Sequence, residues 1–233
     1  GQRMDVTDIR SQAQSNYEDS RPYSESSYEN SVRKRPISQV RQGNSYQSSP
    51  ATQTYSLNSE NDLVRIYSVV DSSLQTEGVN YNEATLYKNT ITDEDGKSVS
   101  TYTDKQGKKI MEERGGKRIY YVYDDMERLR YILPHAAQSK LTNGIYNLNH
   151  VVLRADAYCY NYDDRGNLIY KRLPGCEPQY MVYDQLGQLI LKQDGNQRAK
   201  GKWTLCAYDS IGRNLYIAEI PLEQSHVFYV TFY

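Results

Sequence analysis

One phrase recurs along this chain and decides most of what it can fold into. It reads YTDKQGKKI at 102–110, YVYDDMERLRY at 121–131, YNYDDRGNLIY at 160–170, YMVYDQLGQLI at 180–190 and CAYDSIGRNLY at 206–216, with a divergent sixth copy, TDEDGKSV, at 92–99. The shared unit is aromatic-x-Tyr-Asp-x-x-Gly-polar-Leu, and its Asp recurs at 104, 124, 163, 184 and 209, in steps of 20, 39, 21 and 25. A period of about twenty residues is the signature of one supersecondary unit stacked on its neighbours.

Each unit has a mechanical reading. Asp-x-x-Gly between two apolar runs builds a short hairpin loop: the Asp side chain caps the turn, and Gly takes the left-handed backbone that closes a type I turn with a G1 bulge. Asp104, Asp124, Asp163, Asp184 and Asp209 are therefore expected as turn caps. Gly96, Gly107, Gly166, Gly187 and Gly212 are expected at equivalent turn positions. Glu127 stands at that place in the second Tyr-Asp unit, which predicts local strain or a different turn. Turns at the opposite end fall at Gly115-Gly116, Pro174-Gly175 and Asp194-Gly195, and turns at alternate ends describe an antiparallel meander.

Composition agrees with sheet. The chain has 24 Tyr against two Phe, one Trp and four Met. Tyr has high strand preference, and its ring suits a half-buried sheet face while its hydroxyl stays wet, so Tyr102, Tyr123, Tyr162, Tyr183 and Tyr208 read as the repeat tyrosines facing that sheet. Net charge is -1, which removes the electrostatic footprint of a nucleic-acid binder. No run of about 18 apolar residues predicts a membrane span, and no basic region followed by an apolar stretch at Gly1–Arg10 signals a leader peptide.

Five units in register, with phrases such as YDDRGNLIYKRLPG and YDQLGQLILKQDG, resemble the YD repeats of the Rhs/YD-repeat proteins, the family of polymorphic-toxin shells and the related teneurins. From about Ala84 to Ile220 the likeness is to the Gram-negative bacterial version. A weaker likeness runs through RPYSESSYENSVRKRPISQV at 21–40. The resemblance implies a mainly β fold: an antiparallel meander of stacked hairpins forming a curved, spiralling sheet, an open fragment of a shell. It implies secretion or display at the bacterial cell surface, where family members enclose a C-terminal toxin or effector domain. The family's self-cleaving core region with Asp-Pro motifs has no counterpart in this sequence.

Three regions follow. Residues 1–20 are expected to be a flexible segment, and 21–85 a Ser- and Tyr-rich stretch of strands leading into the repeats. Composition pulls the other way over residues 1–60, where thirteen Ser and few aliphatics read as linker. Residues 86–233 form the hairpin array, with an excursion at 134–157 that accounts for the 39-residue step and contains LNHVVLRADAY, readable as a short helix or an irregular strand. HVFYVTFY at 226–233 reads as a strand.

Chemical signals are few. His135, His150 and His226 are scattered, which predicts no metal site. Cys159, Cys176 and Cys206 lack C-x-x-C spacing and any local setting that activates a thiol. A Cys159–Cys176 disulfide would need about six positions of register shift, since Cys159 is expected to face a residue near Tyr170. Asp124-Asp125 and Asp163-Asp164 read as turn caps rather than as calcium ligands or paired catalytic carboxylates. The expectation is a chain without cofactor and without enzymatic activity: a structural segment whose partners are the rest of a larger YD-repeat protein, or another copy, joined through open sheet edges. The alternative is an extracellular adhesion module whose tyrosines stack on glycans or contact a surface receptor.

Overall fold

The computed structural model describes residues 5–221; the expected strand at 226–233, and His226, lie outside the described residues. The fold is mainly β and antiparallel. Two compact units divide the described residues, 5–63 with 81–118, and 64–80 with 119–221.

A helix, α1 (Val6–Tyr17), occupies the segment expected to be flexible. The Asp5 carboxylate caps it, accepting from the Val6 N–H at 2.7 Å, and Glu18 closes it in the left-handed region. Its sequence is polar, and Ala13 is the one buried residue, which is why no apolar stripe announces it.

The strands in chain order are β1 (Glu25–Tyr28), β2 (Pro36–Val40), β3 (Ala51–Leu57), β4 (Ser68–Val70), β5 (Ser73–Thr76), β6 (Tyr87–Thr92), β7 (Ser98–Thr103), β8 (Lys109–Arg114), β9 (Lys117–Tyr123) and β10 (Leu129–Leu133). After helix α2 (His135–Gln138), β11 (Gly144–Tyr146) and helix α3 (Val151–Asp156) come β12 (Tyr158–Tyr162), β13 (Leu168–Arg172), β14 (Gln179–Tyr183) and β15 (Leu189–Gln193). Helix α4 (Gly195–Ala199), β16 (Lys202–Tyr208) and β17 (Asn214–Pro221) complete the described chain. Fourteen strands form one sheet that follows chain order and omits only β4, β5 and β11; β1 and β17 are its two ends, so it is not closed into a barrel. The three omitted strands make a separate small sheet.

In the first unit, Leu86, Tyr102 and Met111 are buried. Asn58 is buried with them and makes three side-chain bonds: its amide donates to the Asn82 carbonyl at 2.9 Å and its Oδ1 accepts from the N–H groups of Thr85 and Leu86 at 3.0 and 2.7 Å. A buried amide with all these groups paired escapes its desolvation cost and fixes the loop leading into β6.

In the second unit the excursion at 134–157 becomes α2, β11 and α3. LNHVVLRADAY resolves as the short helix Val151–Asp156, opened by the His150 Nδ1 that accepts from the Val152 N–H. Gly144–Tyr146 pairs with β5, so the small sheet joins residues 68–76 to the excursion. Residues 64–80 reach β9 and β10 at two points. The Tyr131 hydroxyl donates to the Ser72 carbonyl at 2.7 Å, the Arg65 N–H donates to the Tyr120 hydroxyl at 3.1 Å, and Leu74, Tyr131, Leu133, Leu153 and Cys159 are fully buried. Nothing local in the sequence marks 64–80 as the partner of residue 145. Asp194-Gly195, expected as a turn, opens α4, because Asp194 and Gln197 form a reciprocal capping box. Among the described residues no helix is long and apolar enough to cross a membrane, a statement about helices alone.

Candidate functional site

The repeated feature is the hairpin turn, and six copies share one geometry. At Asp93, Asp104, Asp124, Asp163, Asp184 and Asp209 the Oδ1 accepts from the N–H two residues on at 2.9–3.1 Å and from the N–H four residues on at 2.8–2.9 Å. The backbone closes the same loop: each Asp N–H donates to the carbonyl four residues later, and the residue at the Gly position donates back to the Asp carbonyl. One carboxylate thus satisfies two donors that the tight loop would otherwise leave unpaired. The Gly of each turn has positive φ, between 76° and 87° at Gly96, Gly107, Gly166, Gly187 and Gly212. Glu127 adopts the same conformation, φ 62°, so of the two expectations for that position strain is what occurs and the turn is unchanged.

A fixed register follows in the five Tyr-Asp units. The residue before each Asp pairs with the residue five after it, and the one two before pairs with the one seven after: Tyr162 with Leu168 and Asn161 with Tyr170, for example. The position between is a bulge, held by Ile110, Arg130, Ile169, Ile190 and Leu215. The bulge corrects one expectation. Cys159, expected to face a residue near Tyr170, faces Arg172, one position farther along than an unbulged ladder would place it. The copy at Asp93 keeps the turn bonds without a bulge, pairing Thr92 with Ser98 and Ile91 with Val99.

Alternation then sorts the side chains. Seven residues after the Asp stand Met111, Tyr131, Tyr170 and Leu191, all buried. The fifth, Tyr216 on β17, is 55% exposed, flanked by exposed Leu215 and Ile217; among the described residues no strand pairs beyond β17. Tyr123, Tyr162, Tyr183 and Tyr208 precede their Asp directly and are half-buried. Two of them reach across to the preceding hairpin, Tyr162 donating to the Leu129 carbonyl and Tyr208 to the Leu189 carbonyl, each at 3.0 Å. Tyr102 does not belong with them. It lies two residues before Asp104, so it points to the buried side, where it meets Asp62 and Lys88.

Electrostatics fits turn closure. Burial works to raise the carboxyl groups of Asp124 and Asp163, yet the N–H donors and the side chains of Arg128 and Asn167 outweigh it and lower both; at Asp209 the backbone and side-chain donors of Arg213 lead in the same direction. These carboxylates are charged and saturated with donors, the opposite of a general acid held protonated.

Sequence reasoning missed Arg130 and Arg172, which are buried at 4% and 2% exposure. Arg130 donates from Nε to the Tyr160 carbonyl at 3.0 Å and lies 3.6 Å from Asp124, and Arg172 bonds the Leu148 carbonyl and approaches the Cys159 sulfur at 3.4 Å. Arg130 stands where the other bulges carry Ile or Leu, a departure readable by aligning the units. The three cysteines are free: Cys159 is buried, Cys176 exposed and Cys206 half-buried, so the Cys159–Cys176 bridge is not formed. His135 starts α2, and His150 packs edge-on against Tyr146 with ring centroids 4.8 Å apart. Among the described residues no group of three or more His, Cys, Asp or Glu gathers to hold a metal ion.

No protein-family model matches this chain, and no curated protein matches it. Solved structures align to it at low identity. One is TcdB2-TccC3-TEV, 14% identical over 84% of this chain and 15% of that chain, with a TM-score of 0.37. A second is the Photorhabdus luminescens Tc holotoxin pore with a mutated TccC3, 10% identical over 84% of this chain and 11% of that one, with a TM-score of 0.36. TcdB2-TccC3 without its hypervariable C-terminal region aligns at 14% identity over 84% of this chain and 15% of that chain, with a TM-score of 0.36. The chain spans less than a sixth of the length of these solved chains.

Proposed function

We propose that this chain is a non-catalytic structural segment of a YD-repeat wall, which in a longer secreted or surface-displayed bacterial protein encloses or presents a C-terminal toxin or effector domain. The supporting observation is the repeated turn: the carboxylates that would be the obvious catalytic candidates are each spent on backbone N–H groups, six times over, in service of one hairpin register. Each hairpin offers a buried position to its neighbours, and on β17 that position, Tyr216, is open. An edge of this kind suits pairing with the remainder of the parent protein or with another copy.

The test is the intact mass of the native protein in its source cells, combined with fractionation. A mass several times 27.0 kDa in the secreted or surface fraction supports the wall role. A native mass near 27.0 kDa confined to the cytosol rules it out.

A further inference from the structure

In the first unit, α1 and the approach to β1 build a cleft of about 390 Å³ that the repeat geometry does not explain, lined among others by Arg10, Ser20, Arg21, Tyr23, Glu25 and Gln47. Arg21 is 7% exposed, and a guanidinium so deeply placed ordinarily meets a carboxylate face on. Its one ion pair among the described residues is with Glu25 at 3.4 Å, through a carboxylate whose side chain is 62% exposed. Arg10 has no carboxylate partner among the described residues; it donates to the Tyr23 hydroxyl at 2.7 Å. Both guanidinium groups lie over the Tyr23 ring, 4.8 Å and 5.5 Å from its centroid. Two cations therefore share one ring, and only Arg21 has a carboxylate beside it.

The backbone holds this arrangement in place. The Arg21 N–H donates to the Asp19 carboxylate at 2.7 Å, and the Arg21 carbonyl accepts from the Gly43 N–H at 2.7 Å. Asp19 also accepts from the Asn44 N–H at 3.3 Å, so its charge is directed at backbone donors. Ser20 is anchored to the Asn44 side chain at 2.9 Å. What remains on the cleft wall is two guanidinium groups on the Tyr23 ring, with the Glu25 carboxylate beside one of them.

We infer that this cleft binds an oxyanion, a phosphate, sulfate or carboxylate group of a small molecule, between Arg10 and Arg21. Bidentate guanidinium geometry suits such a group. Because Arg10 belongs to α1 and Arg21 to the segment before β1, one bound anion ties the helix to the strands.

The experiment is an NMR titration of the full chain with sodium phosphate, sodium sulfate and sodium acetate, each against sodium chloride at matched ionic strength. Saturable shifts at Arg10 and at residues 20–25 are expected, weakened about tenfold in Arg10→Gln through loss of one charge-assisted contact and unchanged in Arg154→Gln, an exposed arginine on α3. Arg10 is exposed, so that variant keeps the fold. Saturation by phosphate and sulfate alone assigns a tetrahedral anion, and saturation by acetate as well assigns the wider carboxylate class. Chloride reproducing the shifts, or Arg10→Gln binding with unchanged affinity, overturns the inference.

Discussion

Tyr102 donates its hydroxyl to Asp62 at 2.8 Å, and Lys88 reaches the same Asp62 oxygen at 2.6 Å. Burial works to raise the Asp62 carboxyl, but Lys88, the Ser59 N–H and the Tyr102 hydroxyl prevail and hold it at about 2; Tyr102, by burial first, is pushed up to about 12. A carboxyl lowered on folding adds stability above its unfolded value of about 4, and that contribution disappears as pH falls toward 2. Asp62→Asn is therefore expected to cost about 2 kcal/mol at neutral pH. Urea unfolding of both proteins at pH 7, 4 and 2.5 checks this, since the gap between them should close over the last interval. A gap independent of pH would contradict the assignment.

Glu127 carries the left-handed turn conformation that glycine holds in the sister hairpins. Glu127→Gly is expected to stabilise the protein by about 0.5–1 kcal/mol, and Gly166→Ala to destabilise it by about 1 kcal/mol, although space around Gly166 is open, because the cost lies in φ alone. Denaturant midpoints of the pair decide it, and opposite signs are required.

Tyr131 links the large sheet to the β4–β5 turn of the small one through the Ser72 carbonyl. Tyr131→Phe should cost about 1 kcal/mol, and Tyr131→Ala about 3–5 kcal/mol through the cavity it leaves. Hydrogen exchange adds a local readout. Protection of β5 amides should fall in Tyr131→Phe while β14 amides are unaffected.

The thiols should separate by burial. Burial pushes the Cys159 thiol up, and the nearby Arg172 guanidinium pulls the other way without prevailing. Aromatic disulfide reagent at pH 8 is expected to modify exposed Cys176 first, half-buried Cys206 more slowly, and Cys159 only on unfolding. Three thiols titrating in unreduced, denatured protein would agree with the absence of a bridge, and early modification of Cys159 would not.

The turns were legible in the sequence because their physics is local: an Asp, the two N–H groups it binds and a left-handed residue all lie within five positions. Register was less so. The bulge at Arg130, Ile169 and Ile190 leaves no mark in the residue pattern, and it moves the partner of Cys159 by one position, to Arg172. Tyr102 looks like its fellows until counted from Asp104, where a one-residue offset turns it inward. Arg21 sits in a serine-rich stretch that reads as linker, and only the fold shows its burial. The small sheet was not legible at all, since Gln75 finds Ile145 by tertiary pairing without a turn between them.

That last pairing sets a clock. Every Tyr-Asp hairpin can close as soon as its own residues leave the ribosome, so the large sheet grows in the order of synthesis and with little loop entropy to overcome. Strand β5 can pair at once only with β4; its other edge waits for β11, which is made after the five strands β6 to β10. During that interval Leu74, fully buried in the finished protein, lacks its β11 neighbour Tyr146. A pause in translation between residues 133 and 144 would lengthen the exposure, and a chaperone that reads apolar strands would find its window there.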